Sequence, residues 1–100
     1  MRLTYPTTLV LQALLQGHHY GFDIMDAVGL PSGTVYPILR RLDAEGLLRS
    51  RWEKQGLARR EQRPPRRYYE LTPAGRAFAH EAAARYRPLQ DITAAVRSER

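Results

Sequence analysis

The sequence contains no cysteine, and this absence excludes both a disulfide framework and a thiolate metal site. Long apolar runs are also missing, since none approaches the ~20 residues that cross a bilayer. The opening stretch MRLTYPTTLVLQALLQG is too short and too interrupted for a secretory signal peptide. We therefore expect a cytoplasmic protein that has no membrane partner.

Residue patterns for catalysis and metal binding are scarce too. His18 and His19 are adjacent, and His80 has Glu81 beside it; neighbours in sequence do not share a helix face, so neither pair offers a metal site. Ser32 has no evident general base, and no glycine-rich phosphate loop occurs. We expect a protein that is not an enzyme and that binds no metal and no cofactor.

Negative charge is the scarcer sign, because 16 Lys and Arg residues face 10 Asp and Glu residues, a net charge of +6. Residues 40–67 hold ten of the basic residues and four of the acidic ones, so the rest of the chain is neutral. Charge confined in this way predicts a surface that meets a polyanion. All the basic residues but one are arginine, which suits phosphate and guanine edges, although GC-rich coding would also favour arginine.

Apolar spacing predicts three short helices in the first half of the chain, at 8–17, 20–29 and from 32 onward, ended by Gly17, Gly29 and Gly46. In the second helix we expect these apolar side chains to face inward: Phe22, Ile24, Met25 and Val28. Ser32 is the expected N-cap of the third helix. Only two residues separate the second and third helices, which is typical of a helix-turn-helix.

After Gly46 the pattern changes to two strands, 47–53 and 66–71, with Trp52, Tyr69 and Leu71 expected in the core. The polar stretch between them, 54–65, is predicted to be a long hairpin tip. Thr72 and Pro73 are a strong helix start.

The predicted fold is therefore mainly α with a small β-hairpin (α+β): a winged helix-turn-helix of three helices, a two-stranded wing and a C-terminal helix. We divide it into a DNA-binding domain, 1–72, and a dimerisation helix, 73–100, kinked or broken near Pro88. In such a fold the second helix of the motif enters the major groove and the wing reaches the backbone. Pro37, which weakens the third helix, is then explained if it fixes a DNA-facing turn; the alternative is a simple surface kink.

Three segments, YGFDIM, SGTVYPILRRLDAEGLL and RRYYELTPAGR, resemble the signature segments of the PadR family of bacterial transcriptional regulators. The resemblance covers about residues 8–78, and the run from Thr34 to Leu42 is its most specific part. It implies a homodimeric repressor of a two-fold-related double-stranded DNA operator, often released by a small-molecule effector, here of unknown identity. It also implies structural roles at the hairpin-to-helix junction for Tyr69, Leu71, Thr72 and Gly75.

The candidate DNA-binding residues combine this resemblance with the charge pattern. They are Ser32, Thr34, Tyr36, Pro37, Arg40, Arg41, Arg59, Arg60, Arg63, Arg66 and Arg67. The competing interpretation is a winged-helix module of MarR- or ArsR-like type that binds proteins or senses ligands without reading an operator. The ten basic residues between 40 and 67 favour DNA binding.

The C-terminal segment carries an apolar seam with the 4, 3, 4, 3, 4 spacing of a coiled coil, interrupted by Arg85. The predicted dimer interface consists of Phe78, Ala82, Leu89, Ile92 and Val96. The alternative for the part after Pro88 is packing against the first helix of the same chain. A planar effector could also bind an aromatic site made by Tyr5, Trp52, Phe78 and Tyr86, although Trp52 and Phe78 could equally belong to the core.

Overall fold

The computed structural model describes residues 2–86, and its elements follow the order expected of a winged helix. Within that part of the chain the elements are α1 (Tyr5–Leu15), α2 (Gly21–Val28), α3 (Ser32–Ala44), β1 (Leu48–Trp52), α4 (Gln55–Arg60), β2 (Arg67–Leu71) and α5 (Pro73–Arg85). The mainly helical winged helix-turn-helix predicted from the sequence is confirmed. None of the helices described is long and apolar enough to cross a membrane.

The helix starts follow from local hydrogen bonding. The Thr4 hydroxyl accepts from the Thr7 amide at 3.3 Å at the start of α1. The expected cap at Ser32 is wrong: Pro31 is the N-cap of α3, and Ser32 is already the first helical residue. The Pro31 carbonyl accepts from the Thr34 and Val35 amides, both at 3.0 Å. Because Pro31 is extended and the connection is so short, the helix begins one residue earlier than a serine cap would allow.

The start of α5 ties that helix to the turn between α3 and β1. The Thr72 hydroxyl accepts from the Gly75 amide at 3.0 Å and donates to the Gly46 carbonyl at 2.8 Å. A Cβ on Gly75 would collide with the Leu47 carbonyl. The cap at Thr72 is confirmed, and the close approach explains why position 75 requires glycine.

The two strands pair antiparallel, with Leu48 opposite Leu71 at one end and Trp52 opposite Arg67 at the other. The outer edge of β2 is also covered, since the Tyr69 amide donates to the His19 carbonyl at 2.7 Å and Tyr20 bridges Tyr68. The segment between α1 and α2 therefore adds an isolated bridge to the edge of the two-stranded sheet.

One hydrophobic core joins α1, α2, α3, the two strands and α5. Its fully buried large side chains are Val10, Leu11, Ile24, Val35, Leu39 and Leu42, with Leu48, Tyr69 and Leu71 from the sheet and Ala79 and Ala82 from α5. The expected burial of Tyr69 and Leu71 is confirmed. Burying this much contiguous apolar surface is what holds the short helices together.

Two aromatic residues expected inside are exposed. Trp52 is 64 % exposed although it lies on the same sheet face as Leu48 and Tyr69, because its end of the hairpin extends beyond the helices. Phe22 is 74 % exposed, since α2 buries Gly21 and Ile24 and the next residue after Gly21 is rotated away from that face. The spacing of apolar residues assigned Trp52 and Phe22 to the correct strand and helix. It did not show where the hydrophobic core ends.

Part of the predicted dimer seam lies in α5. Ala82 is fully buried within the single chain, and Phe78 is half-buried against the same core. Pro88, Leu89, Ile92 and Val96 lie outside the described residues. Helix α5 packs mainly against α1, and Tyr5 and Tyr86 meet with ring centroids 5.8 Å apart.

Candidate nucleic-acid interface

Helix α3 has one buried face and one exposed face, as the apolar spacing predicted. Val35, Ile38, Leu39 and Leu42 are buried. The opposite face exposes Ser32, Tyr36, Arg40 and Arg41, with Thr34 and Pro37 partly covered. The α3 residues predicted from the sequence are therefore accessible together along one helix, which is the arrangement that can enter a DNA groove.

Pro37 lies inside α3 without ending it, since the helix continues to Ala44. Proline has no N–H, so the Gly33 carbonyl loses the backbone donor that a residue at position 37 would otherwise supply. Gly33 is exposed, and this missing bond lies in the solvent-facing first turns of the helix. The proline thus lowers helix stability in the N-terminal half of α3, where the sequence predicts DNA contact.

Tyr36 depends on a glycine in the preceding helix. Gly21 is buried, and a Cβ there would lie 2.8 Å from Cε1 of the Tyr36 ring. A larger residue would push the tyrosine away from this position. Sequence reasoning identified Tyr36 but missed Gly21, although the Tyr20-Gly21 pair of the YGFDIM segment was the signal available.

The wing, defined as residues 48–71, is joined to α3 by a chain of polar contacts. Nη2 of Arg67 donates to the Ser50 hydroxyl at 2.8 Å, and that hydroxyl donates to Oδ2 of Asp43 at 3.1 Å. The Arg67 guanidinium also lies over the Trp52 ring, 5.2 Å from its centroid. These contacts fix the orientation of Arg67 relative to α3.

The opposite face of the wing stacks rings and arginines. Arg51 lies 4.6 Å from the Tyr68 ring centroid, and Tyr68 stacks on His19 at 4.7 Å. Nδ1 of His19 donates to the Tyr69 carbonyl at 2.8 Å, and Arg66 lies 5.7 Å from the Tyr20 centroid. His19 therefore has a structural role at the sheet edge. No group of three or more residues that could hold a metal is found within residues 2–86.

The wing tip is more ordered than a simple hairpin loop. It contains α4, in which Ala58 is buried and Arg59 and Arg60 are exposed. The predicted hairpin tip thus includes a short helix over Gln55–Arg60. The arginines that we expected at the tip thus lie on a helical turn, which restricts where Arg59 and Arg60 can point.

Arg63 folds back onto the wing. Its two terminal nitrogens donate to the two carboxylate oxygens of Glu53 at 2.6 and 2.9 Å, and its Nε donates to Glu61 at 2.8 Å. The hydrogen bond from Arg63 lowers the pKa of Glu53, and the same carboxylates raise the pKa of Arg63. The side chains of Arg63 and Glu53 are only 18 % and 4 % exposed. This bidentate pair closes the loop that carries α4.

Five of the predicted site residues line two separate depressions. Tyr36, Arg66 and Arg67 line one groove between the helices and the wing. Arg59 and Arg63 line a separate depression at the tip, with Ala58 and Pro65. Of the aromatic residues expected to form an effector site, Tyr5 and Tyr86 are in contact, whereas Trp52 belongs to the groove at the wing.

Comparison with known proteins gives a family match. The model described as "Transcriptional regulator PadR-like family" matches residues 10–81. No curated protein matches the chain. A PadR-like transcription factor from Bacteroides fragilis is similar in structure, with a TM-score of 0.65 and 28 % identity over 90 % of this chain and 87 % of that one.

Two further structures share the fold. The BpsR regulator of Bordetella bronchiseptica, whose DNA binding is regulated by 6-hydroxynicotinic acid, has a TM-score of 0.71 and 27 % identity over 91 % of this chain and 64 % of that one. A PadR family regulator from Clostridium difficile has a TM-score of 0.71 and 23 % identity over 93 % and 98 % of the two chains. The overall fold is therefore common to this chain and these three structures.

Proposed function

Because this chain belongs to the PadR-like family of transcriptional regulators, we propose that it is a sequence-specific repressor that binds a double-stranded DNA operator as a homodimer. This family consists of DNA-binding transcription regulators and is not a family of enzymes. The observation that carries the proposal is the exposed face of α3 beside a wing that holds most of the excess positive charge.

In this proposal α3 is the recognition helix and lies in the major groove. Tyr36 and Arg40 face the base edges, and Ser32, Thr34, Pro37 and Arg41 lie around them on the exposed or partly exposed surface of the helix. An arginine can pair with both acceptors of guanine, which makes Arg40 the main candidate for base reading. The first turn of α3 carries no acidic residue, so no negative charge on that turn opposes the approach of DNA.

The wing arginines supply affinity that does not depend on sequence. Arg59, Arg60, Arg66 and Arg67 are exposed and can reach phosphates. Arg63 belongs to the same basic group, and its pairing with Glu53 gives it a second role, that of holding α4 in place. We expect its substitution to affect DNA binding through the shape of the wing as well as through charge.

The homodimer is proposed to form through residues 73–100, with Leu89, Ile92 and Val96 continuing the seam from the half-buried Phe78, whereas Ala82 is taken up by the core of its own chain. A two-fold axis there would set two recognition helices about 34 Å apart, one turn of B-DNA. A small-molecule effector is proposed as well. BpsR is regulated by 6-hydroxynicotinic acid, and PcaV from Streptomyces coelicolor is described in complex with its natural ligand.

Selection of bound duplexes from a random library tests this function directly. We expect enrichment of one motif with two related halves, because two identical recognition helices read it. The matched control is the Arg40→Ala variant, which should enrich a less defined motif from the same library. Recovery of unenriched sequences by the wild-type chain would contradict operator reading and favour a module that binds proteins or ligands.

A further inference from the structure

Asp43 is an acidic residue in a position where two electrostatic effects disfavour it. It is exposed in the last turn of α3, where the partial negative charge of the helix C-terminus opposes an anion. It also lies within residues 40–67, the stretch that carries the excess positive charge. Of the four acidic residues in that stretch, Glu53 and Glu61 are bonded to Arg63. The carboxylate at position 43 therefore needs an explanation of its own.

The Asp43 carboxylate ends a directed pair of hydrogen bonds that begins on the wing. Nη2 of Arg67 donates to the Ser50 hydroxyl at 2.8 Å, and arginine offers no acceptor in return. The single hydrogen of the Ser50 hydroxyl is therefore left for Asp43, whose Oδ2 accepts it at 3.1 Å. We call these three residues the α3–wing relay. Each of its bonds has one possible direction, so loss of Ser50 or of Asp43 would remove the hold on Arg67.

Arg67 is held from a second side by an aromatic ring. Its guanidinium lies 5.2 Å from the centroid of Trp52, which is its partner in the strand pair. The Ser50 hydroxyl uses only one of the N–H donors of the guanidinium, and the side chain is exposed, so other donors can bind a phosphate. Because the side chain is already ordered, it loses less conformational freedom when it binds.

The relay joins the wing to the face of α3 that is proposed to read bases. Tyr36, Arg40 and Asp43 are exposed at positions i, i+4 and i+7, so they lie along one stripe of the helix. Tyr36 and Arg67 also line one groove. Burial raises the pKa of the Tyr69 phenol, and the charges of Arg67 and Asp43 act on that pKa in opposite directions. Both ends of the relay thus lie close to the phenol between α3 and the wing.

We propose that Asp43 and Ser50 are positioning residues that hold Arg67 beside α3, so that Arg67 binds a backbone phosphate when α3 lies in register with its bases. This role rests on the proposed function. A phosphate contact carries no direct sequence information, but a contact fixed relative to the recognition helix sets the register in which bases are read. Exposed polar pairs add little to folding stability, so the relay serves binding.

The fluorescence of Trp52 reports on the relay without DNA, because this is the only tryptophan in the sequence and Arg67 lies over its ring. Acrylamide, a neutral quencher, should reach the ring more readily once Arg67 is released. We expect Arg67→Gln and Asp43→Ala to increase quenching to the same extent. Asp43→Asn keeps an acceptor for Ser50 and should be quenched like the wild type. Unchanged quenching in Asp43→Ala would overturn the proposal.

Binding of an operator duplex separates position from charge, since Asp43→Ala and Asp43→Asn remove the same negative charge. Charge alone predicts that both variants bind DNA more tightly and to the same extent. The relay predicts that Asp43→Ala binds the operator about 5-fold or more weakly than Asp43→Asn, with little difference on a random duplex. Ser50→Ala and Ser50→Thr are a second matched pair, because threonine keeps the hydroxyl. Equal operator affinities within either pair would overturn the proposal.

A double-mutant cycle shows whether Asp43 acts through Arg67. In an Arg67→Gln background Asp43→Ala should cause no further loss of operator affinity, whereas in an Arg66→Gln background it should cause the full loss. Arg66 is the matched control, because it is the neighbouring exposed arginine of the wing and lies over the Tyr20 ring. Equal losses in the two backgrounds would contradict a role of Asp43 through Arg67.

The two readouts separate the positioning role from the proposed function. The expected quenching pattern in a protein that binds no duplex would contradict the DNA function and support the hold of Asp43 on Arg67. Duplex binding by the wild type, together with equal operator affinities of Asp43→Ala and Asp43→Asn, would leave the DNA function intact and overturn the positioning role.

Discussion

At the scale of single residues, two glycines allow neighbouring elements to approach closely. Gly21 leaves space for the Tyr36 ring, and Gly75 leaves space for the Leu47 carbonyl. Both glycines lie in segments that resemble PadR signature segments. The need for glycine at each position becomes clear only from residues that are distant in the chain and close in the fold. Sequence patterns report periodicity and caps, whereas close approaches between elements depend on the assembled fold.

Replacing Gly75 tests that close approach. Gly75→Ala should destabilise the protein by about 1–3 kcal/mol, because the new Cβ meets a backbone carbonyl that cannot rotate away. Gly33→Ala is the control, since nothing lies within 4 Å of its Cβ position, and should stabilise α3 by about 0.5–1 kcal/mol. Urea unfolding measures both. A neutral Gly75→Ala would show that α5 can shift freely on the turn below it.

Substitutions of Arg40 and Arg59 are expected to change DNA binding in different ways. Arg40→Ala should cost about 1–3 kcal/mol of operator affinity and relax preference at one or two positions of each half-site. Arg59→Ala should weaken all duplexes about equally, since phosphate contacts carry no direct sequence information. Affinities for the operator and its single-base variants measure the difference. Altered specificity in Arg59→Ala with unchanged specificity in Arg40→Ala would exchange the roles of helix and wing.

At the scale of elements, the helix-turn-helix, the two strands and the start of α5 could be predicted, because each depends on local spacing and capping. Helix α4 could not, since it is short and is held by Ala58 and by the ion pair of Arg63 with Glu53 across the loop. The burial of Trp52 was also predicted wrongly, because alternation gives the sheet face but not the edge of the helical layer.

The ion pair in the wing should make stability depend on pH. The pKa of Glu53 is lowered from 4.5 in the folded state, so the unfolded chain binds the proton first as pH falls. The stabilisation is therefore complete above about pH 4.5 and is lost as pH drops through the lowered pKa. Glu53→Gln should be less stable than wild type at neutral pH, and the difference should shrink in acid. Urea midpoints across this range measure it, and a constant difference would contradict the assignment.

At the scale of the whole molecule, we propose that one small chain combines three roles: base reading by α3, backbone contact by the wing and pairing through the C-terminal segment. The fold and the family are established by the match over residues 10–81 and by the structural neighbours. The pairing and the residue assignments are proposals that follow from the seam and the exposed face.

Dimerisation should depend on the seam, and operator binding should depend on dimerisation. Replacing Leu89 and Ile92 together with Glu should give a folded monomer in sedimentation experiments, because charges in an apolar seam are not tolerated in a paired interface. Operator affinity should fall far more than affinity for a half-site. Ser98→Glu serves as the control, being a C-terminal change outside the seam. A double variant that remains dimeric would place the interface elsewhere, for example on α1 around the partly exposed Leu9.

The dependence of duplex affinity on salt tests the central claim most directly, namely that the basic wing and the exposed face of α3 meet DNA. If each subunit neutralises about four phosphates, a dimer neutralises about eight, and log K should fall with log salt at a slope near −7. Fluorescence anisotropy of a labelled operator duplex between low and moderate salt provides the slope. A slope near −7 is the result that we predict, and a slope flatter than about −2 would contradict the electrostatic role of residues 40–67.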